Sequence, residues 1–116
     1  MTDVRHWRIL VWRGMEFIET PVFTKIITNL IEDRLYMDLQ EYLLGNPKKG
    51  RVILGSGGCG KLRFKSHTKG KRGGIRVIYY VMSDNKIYML YAYTKSKTED
   101  LTKDQIKQLE NLIEEV

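Results

Sequence analysis

The segment from Pro47 to Arg76 contains ten lysines and arginines and no acidic residue. The rest of the chain carries the other ten basic residues together with all fourteen acidic ones. The formal net charge of +6 and the pI of about 9.5 therefore arise from this one segment. Clustered cations bind a polyanion by releasing its counterions, and they stabilise negative charge that develops on a reacting phosphate. The pattern predicts a nucleic-acid site and favours phosphate chemistry there.

RNA cleavage is the phosphate reaction that suits such a site best. It requires that the 2′-hydroxyl lose its proton, that the phosphorane be neutralised and that the leaving 5′-oxygen gain a proton. Lysines and arginines neutralise charge directly, and their mutual repulsion lowers a lysine pKa towards acid–base duty. The nucleophile lies within RNA itself and is absent from DNA. We therefore predict an RNA site that needs no metal and no cofactor.

The remaining candidate residues argue against disulfide-bonded proteins, zinc proteins and nucleotide hydrolases. Cys59 is the only cysteine, so no intramolecular disulfide can form and a reducing compartment is favoured. With only His6 and His67 beside it, the chain cannot complete a zinc site unaided. The tract from Gly55 to Lys61 resembles the phosphate loop of nucleotide hydrolases, but Leu62 follows where a hydroxyl is required. No apolar run approaches the roughly 20 residues that span a membrane, and a cytoplasmic protein is expected.

Three helices are predicted to support the basic segment. Thr20-Pro21 is typical of the N-cap and first residue of a helix. Asp33 is expected to cap a second helix, which ends at Gly45 in a left-handed conformation. The two helices form a hairpin with a very short link. The tract from Thr102 to Gln105 has the form of a capping box and begins the C-terminal helix.

The remaining segments predict a mainly antiparallel sheet of four or five strands. Residues 15–19 and 51–54 are short strands, and 61–65 alternates strictly, so that Leu62 and Phe64 face a core while the cations face away. Residues 75–82 and 86–94 form a central hairpin. We predict an α+β domain in which the helices cover one face of the sheet and the cations occupy the other.

Five tyrosines lie on the two predicted central strands. At least three are expected in the core, with stacking on unpaired bases as the alternative use. Tyr93 is predicted to be the most exposed because it lies at the end of a strand. The five are Tyr79, Tyr80, Tyr88, Tyr91 and Tyr93.

The first fourteen residues differ from the rest of the chain. They contain both tryptophans and three arginines, without a clear period. Two interpretations are open, an arm that binds a partner and an extension that is not part of the fold. We adopt the second, with residues 1–14 as an extension and 15–116 as the domain.

Motifs in and around the basic segment occur together in one known family. They extend from Met15 to about Leu112. The matching stretches are Asn46-Pro47-Lys48, Gly57-Gly58, Lys61-Leu62-Arg63, the run from Gly70 to Tyr80 and the run from Tyr93 to Thr102. On these residues the chain resembles the HigB branch of the RelE-like bacterial toxins, which are mRNA-cleaving ribonucleases of toxin–antitoxin pairs.

The resemblance implies a RelE-like microbial-ribonuclease fold and metal-independent cleavage of mRNA in the ribosomal A site. By position, Arg76 matches the arginine that stabilises the phosphate on the family's central strand. Lys61 and Arg63 match its basic strand, and Lys95 matches the cation after the last strand. The catalytic tyrosine of the best-studied members is either missing from this chain or replaced by Tyr93.

Partners follow from the same resemblance. A cognate antitoxin is implied, in the form of a HigA-like helix-turn-helix protein. Operator DNA is expected to be bound only through this antitoxin. No membrane partner is expected. The cations expected to bind mRNA or ribosomal RNA are Lys65, Lys69, Lys71, Arg72 and Lys97. A non-catalytic RNA- or ribosome-binding module is the alternative. A transcription regulator is disfavoured because no helix-turn-helix is evident between Thr20 and Gly45.

Overall fold

The computed structural model describes residues 4–64, 74–94 and 100–116. A short 3-10 turn, Val4–His6, precedes the regular elements. The strands are β1 Arg8–Trp12, β2 Met15–Glu19, β3 Arg51–Val52, β4 Gly60–Phe64, β5 Ile75–Ser83 and β6 Lys86–Thr94. The helices are α1 Pro21–Leu30, α2 Asp33–Gly45 and α3 Lys103–Glu115. In the described part of the chain, no helix is both long enough and apolar enough to span a bilayer.

The strands form one sheet in the order β1-β2-β6-β5-β4-β3. Every neighbouring pair is antiparallel except β2 and β6, which run parallel. This confirms the predicted α+β class and the central position of β5 and β6. The sheet has six strands and not four or five, because β1 belongs to it and β3 is a two-residue edge strand.

The helices cover both faces of the sheet, which corrects the prediction that they share one. One apolar core holds Phe23 of α1 and Leu39 of α2 together with Val77 of β5. A second core contains Ile78, the next residue of β5, and Leu109 of α3. Neighbouring residues of a strand point to opposite faces. The C-terminal helix therefore packs on the same face as the cations of β4.

Helix ends mostly follow the predicted caps. The Thr20 hydroxyl accepts the Phe23 N–H at 3.0 Å, and Thr102 forms the predicted capping box with Gln105. Two ends differ. Asp33 is the first residue of α2 and not its cap, since the extended backbone lies one residue earlier. Gly45 remains helical, and the Asn46 N–H bonds to the Leu43 carbonyl instead of a left-handed glycine closing the helix.

The expectation that residues 1–14 lie outside the fold is not met where this region is described. β1 pairs along its whole length with β2 through a two-residue turn. Both turn residues, Arg13 and Gly14, have positive φ, as a tight hairpin requires. Trp7 is buried and meets Tyr88 edge-on, with ring centroids 5.8 Å apart. The hairpin turn that Gly14 permits is the signal in the sequence that the prediction overlooked.

Arg8 of this hairpin neutralises a buried carboxylate. Its guanidinium donates to both oxygens of Glu19, at 2.8 and 3.0 Å. Glu19 has no exposed surface, and it also accepts hydrogen bonds from the hydroxyls of Thr24 and Tyr36. Burial and the adjacent carboxylate raise the pKa of Tyr36, so this phenol stays protonated and donates. A buried charge is tolerated when it is paired and hydrogen-bonded in this way.

Tyr79 connects the loop after α2 to the sheet. Its hydroxyl accepts the Gly50 N–H at 2.9 Å and donates to the Pro47 carbonyl at 2.9 Å. A Cβ at Gly50 would lie 2.6 Å from that hydroxyl oxygen, so glycine is required for this approach. Through these two hydrogen bonds, Tyr79 holds the start of the basic segment against β5.

Replacing Tyr79 by phenylalanine is expected to destabilise the fold by about 1–2 kcal/mol, since a half-buried N–H and a half-buried carbonyl lose their partner. Urea unfolding followed by circular dichroism measures the change. Tyr80→Phe is the control on the same strand and is expected to cost under about 0.5 kcal/mol. Equal losses from the two variants would contradict this role of Tyr79.

Candidate active site

Three predicted site residues lie in one row across the middle of the sheet. In the strand register Arg63 of β4 is opposite Arg76 of β5, and Arg76 is opposite Tyr93 of β6. Directly opposite residues share a face, and their Cβ atoms lie about 4.5–5.5 Å apart. Residues that are far apart in sequence are thereby brought into contact distance on the face that also carries α3.

The alternation of β4 explains how the sequence builds this row. Leu62 and Phe64 pack into the core on the α1 and α2 side, as predicted. The side chains of Lys61 and Arg63 must then project from the other face. Arg76 lies between Ile75 and Val77, both fully buried in that same core, so it too projects to the α3 face.

Lys61 extends the row towards the segment that leads into α3. Its ammonium lies 3.3 Å from Asp100 Oδ1, and the same oxygen accepts the Leu101 N–H at 2.8 Å. The hydrogen bond from the Leu101 N–H is the main reason why the pKa of Asp100 lies below its usual range. The hydrogen bond from Lys61 lowers this pKa further. Asp100 thus remains a carboxylate and pairs with Lys61 at the surface.

Sequence reasoning did not single out Asp100 as a site residue. It appeared only within a stretch that matches the family. Strand periodicity predicts the face to which each side chain of a strand points, but it does not predict the path of the segment between β6 and α3. The contact between Asp100 and Lys61 therefore could not be predicted from the sequence.

Tyr93 is buried, and the prediction that it is the most exposed tyrosine is wrong. It is 5% exposed because α3 and Tyr91 cover the strand end, with the two tyrosine rings 6.0 Å apart. Its hydroxyl is buried, and no group in the described residues bonds it. Burial is the largest cause that raises the pKa of the Tyr93 hydroxyl. The negative charge of Asp100 raises this pKa further, and the positive charge of Arg76 lowers it.

The chemical consequence is a protonated phenol beside an arginine. Such a hydroxyl can donate to an oxygen on which negative charge develops, and it is unsuited to act as a base at neutral pH. Buried polar groups are bonded in the great majority of cases. The row therefore combines the cations of Arg63 and Arg76 with one hydrogen-bond donor that has no partner in the described chain.

The other tyrosines of the two central strands belong to the cores. Tyr79 is buried on the α1 and α2 side. The three remaining ones are half-buried and pack against the second core, as aromatic residues of central strands were expected to do. They are Tyr80, Tyr88 and Tyr91.

Several predicted site residues lie outside the described ranges. They are Lys95 among the catalytic candidates and the five RNA-binding candidates Lys65, Lys69, Lys71, Arg72 and Lys97. Their roles stay predictions.

The glycine-rich tract leads into a strand, as its sequence indicated. Gly55, Gly57 and Gly58 have positive φ, and β4 follows where a phosphate loop would begin a helix. Ser56 ties the loop together by donating to the Ile53 carbonyl at 2.6 Å and accepting the Cys59 N–H at 3.0 Å. The loop is thus a tightly bonded connection without the helix N-terminus that cradles a nucleotide phosphate.

Neither a reactive thiol nor a metal cluster is found in the described residues. Burial raises the pKa of Cys59 to about 11, so its thiol is protonated at neutral pH and a poor nucleophile. No three His, Cys, Asp or Glu side chains of ranges 4–64, 74–94 and 100–116 are grouped so that they could hold a metal ion.

The comparison with known families matches this part of the molecule. The sequence model described as RelE toxin of the RelE/RelB toxin–antitoxin system matches residues 46–116. The matched region begins just after α2 and includes β4, β5, β6 and α3, on which the row and its Asp100 contact lie. It covers more than half of the chain, which therefore belongs to the RelE family of toxins of toxin–antitoxin systems.

Proposed function

We propose that this toxin, a member of the HigB branch, is a ribosome-dependent endoribonuclease that cleaves mRNA and so inhibits translation. The reaction is attack of the 2′-hydroxyl on the adjacent phosphate, without a metal. The cell controls it through a cognate antitoxin, a HigA-like helix-turn-helix protein that alone contacts operator DNA. The observation that carries the proposal is the row of Arg63, Arg76 and Tyr93 with its unbonded hydroxyl.

Arg76 is central to the proposed mechanism. It lies between Arg63 and Tyr93, so a phosphate placed over β5 meets a cation on the strand itself and a second one on β4. The charge of a pentavalent phosphorane grows along the reaction, and donors fixed in advance stabilise it more than the ground state. Arg76 stabilises this charge.

Lys61 and Arg63 bind phosphate and assist proton transfer. The carboxylate of Asp100 pairs with Lys61, and we propose that Asp100 is a positioning residue. Lys95 supplies a further cation after the last strand. Lys65, Lys69, Lys71, Arg72 and Lys97 hold the mRNA or ribosomal RNA backbone, consistent with the high density of cations and absence of acids from Pro47 to Arg76.

The proposed role of Tyr93 is to donate its proton or a hydrogen bond to the reacting phosphate. Because its hydroxyl is buried in the free chain, this role requires that substrate binding uncover it. Its raised pKa means that the hydroxyl is neutral throughout the pH range in which ribosomes function. We therefore propose that Tyr93 acts on the acid side of the reaction.

The variant Tyr93→Phe tests this assignment. Cleavage of mRNA on translating ribosomes is expected to fall about 10²-fold, within the range of one lost general acid. The free energy of unfolding is expected to stay the same or to rise slightly, since the hydroxyl removed has no partner in the described chain. Tyr88→Phe is the control and is expected to leave cleavage unchanged. Full cleavage by Tyr93→Phe would contradict the role.

Cleavage products distinguish the proposal from a non-catalytic ribosome-binding module. Purified chain is added to a translating system, and the 3′ ends of the mRNA are mapped by primer extension. Cuts within translated codons that disappear when translation is blocked support the proposal. Ribosome binding without cuts would identify the binding module instead.

A further inference from the structure

Strand β1 forms an open edge of the sheet. It pairs with β2 on one side, and no described strand lies on its other side. The Glu16 N–H donates to the Asn85 carbonyl, so even-numbered residues of β2 bond towards β6 and odd-numbered ones towards β1. These odd-numbered residues pair with the even-numbered residues of β1. Because hydrogen bonding alternates along an antiparallel pair, the backbone N–H and C=O groups of Ile9 and Val11 point away from the sheet.

The side chains of the same two residues are apolar and exposed. Leu10 and Trp12 pack against the first core, so Ile9 and Val11 project from the opposite face. Ile9 is 53% exposed and Val11 is 66% exposed. An edge that presents unpaired backbone groups together with apolar side chains is a template for a further strand. The partner that fits this edge is therefore another β-strand.

The devices that usually block an edge strand are absent from β1, all of which lies in the described range. Its five residues pair with β2 in a regular register, without a bulge or a proline. Its one charged residue, Arg8, is turned onto Glu19. The strand at the other edge of the sheet differs, since β3 has two residues and begins with the exposed Arg51. Short and charged edge strands resist pairing, so β1 is the edge that can accept a strand.

The sequence of β1 is complementary to itself. When two copies of this strand run antiparallel with Leu10 opposite Leu10, each Ile9 lies opposite Val11 of the other copy. Each such pair exchanges two backbone hydrogen bonds, since both residues have outward N–H and C=O groups. The exposed apolar side chains then cover one another. Arg8 lies opposite Trp12, so no like charges face each other, and the arrangement has the two-fold symmetry of most protein dimers.

The distribution of charge also favours a second copy at this edge. Two chains of net charge +6 repel each other. Residues 1–46, which include β1, carry five basic and seven acidic residues, whereas the basic segment begins after them. β1 and β3 lie at opposite edges of the sheet. Copies that meet at β1 therefore keep their basic segments far apart, which reduces the repulsion.

We propose that two copies of this chain associate through β1, with Leu10 on the two-fold axis, so that one sheet continues through both copies. Five residues from each copy are few beside the roughly 20–30 of a standard interface, so the dimer dissociates on dilution. The row lies on β4, β5 and β6, and β2 separates β6 from β1, so the pairing leaves the row uncovered. This inference does not depend on the proposed function.

Sedimentation velocity of the full-length chain over a range of concentrations tests the proposal. The average mass is expected to rise from that of a monomer towards that of a dimer as the concentration increases. Val11→Lys is expected to weaken association about tenfold or more, because pairing would bury the introduced charge. Val52→Lys is the matched control. It changes the same residue type at 63% exposure on the other edge strand and is expected to have no effect.

A charge pair tests the register. Ile9→Glu alone is expected to weaken association as Val11→Lys does. The variant that combines both changes is expected to recover most of the loss, because each glutamate then faces a lysine of the other copy. All variants are expected to keep the circular dichroism and melting temperature of the parent chain, since both side chains are exposed in the monomer.

Three results would contradict the proposal. The first is a chain that stays monomeric at every concentration at which it is soluble. The second is a dimer that Val52→Lys weakens and Val11→Lys does not, which would place the contact at the other edge. The third concerns the amide resonances of Ile9 and Val11 in the ¹⁵N-labelled chain. If these move only when the protein encoded by the neighbouring gene is added, the edge binds that protein and not a second copy.

Discussion

Arg76→Ala is expected to lower mRNA cleavage on translating ribosomes by about 10²–10³-fold, the typical loss when a group that stabilises transition-state charge is removed. The effect is expected in the rate at saturating ribosomes and not only in affinity, since the guanidinium acts on charge that develops during reaction. Single-turnover cleavage of an mRNA bound to stalled ribosomes measures the rate. Inducible expression of the variant is expected to leave growth unaffected.

A matched control separates this role from loss of general positive charge. Arg34 of α2 is an exposed arginine outside the row, and Arg34→Ala is expected to keep cleavage within about twofold. Both variants should retain the circular dichroism and the melting temperature of the parent chain to within a few degrees. If Arg76→Ala still cleaved mRNA and arrested growth, the assignment of Arg76 would be wrong.

Arg8→Met is expected to destabilise the fold by roughly 3 kcal/mol, because the fully buried Glu19 side chain loses its ion-pair partner. Loss of one partner from a buried ion pair costs about 3–5 kcal/mol. The lower end applies because the Arg8 side chain is 40% exposed, so that water already screens part of the interaction. Chemical denaturation of the purified variant measures the loss.

Two further variants test the cause. Arg8→Met combined with Glu19→Gln is expected to recover more than half of the loss, because the buried charge disappears. The amide oxygen can accept from Tyr36, and the amide NH2 can donate to the Thr24 hydroxyl, which can itself donate to the Thr20 carbonyl at 3.2 Å. Arg13→Met removes an exposed ion pair with Glu41 from the same hairpin and is expected to cost under about 1 kcal/mol. Equal losses from Arg8→Met and Arg13→Met would show that the hairpin contributes through general charge alone.

The order of the elements could be predicted from the sequence because local rules govern it. Thr20 and Thr102 cap helices through hydrogen bonds within one turn, and the alternation around Leu62 fixes which face of β4 enters a core. The face to which a whole helix returns follows no local rule. The prediction that α3 shares a face of the sheet with α1 and α2 is therefore wrong. The burial of Tyr93 beneath α3 could not be predicted for the same reason.

The members of the candidate site were predicted, but their arrangement was not. Arg63, Arg76 and Tyr93 come together through the register of three strands, which depends on pairings between distant segments. The contact between Lys61 and Asp100 spans thirty-nine residues of sequence and depends on the path of a loop. The N-terminal hairpin was missed for a related reason, since Arg8 has a role only when the buried Glu19 is known to lie beside it.

The parallel pairing of β2 with β6 has a consequence for synthesis. The two strands lie about seventy residues apart in the chain, and β6 ends at Thr94. Contacts of such long range form late, since a long loop must close before they contribute. A nascent chain that has not yet released β6 lacks both the centre of its sheet and Tyr93 of the row. Under the proposed function, a chain therefore acquires its candidate site only after β6 has left the ribosome that makes it.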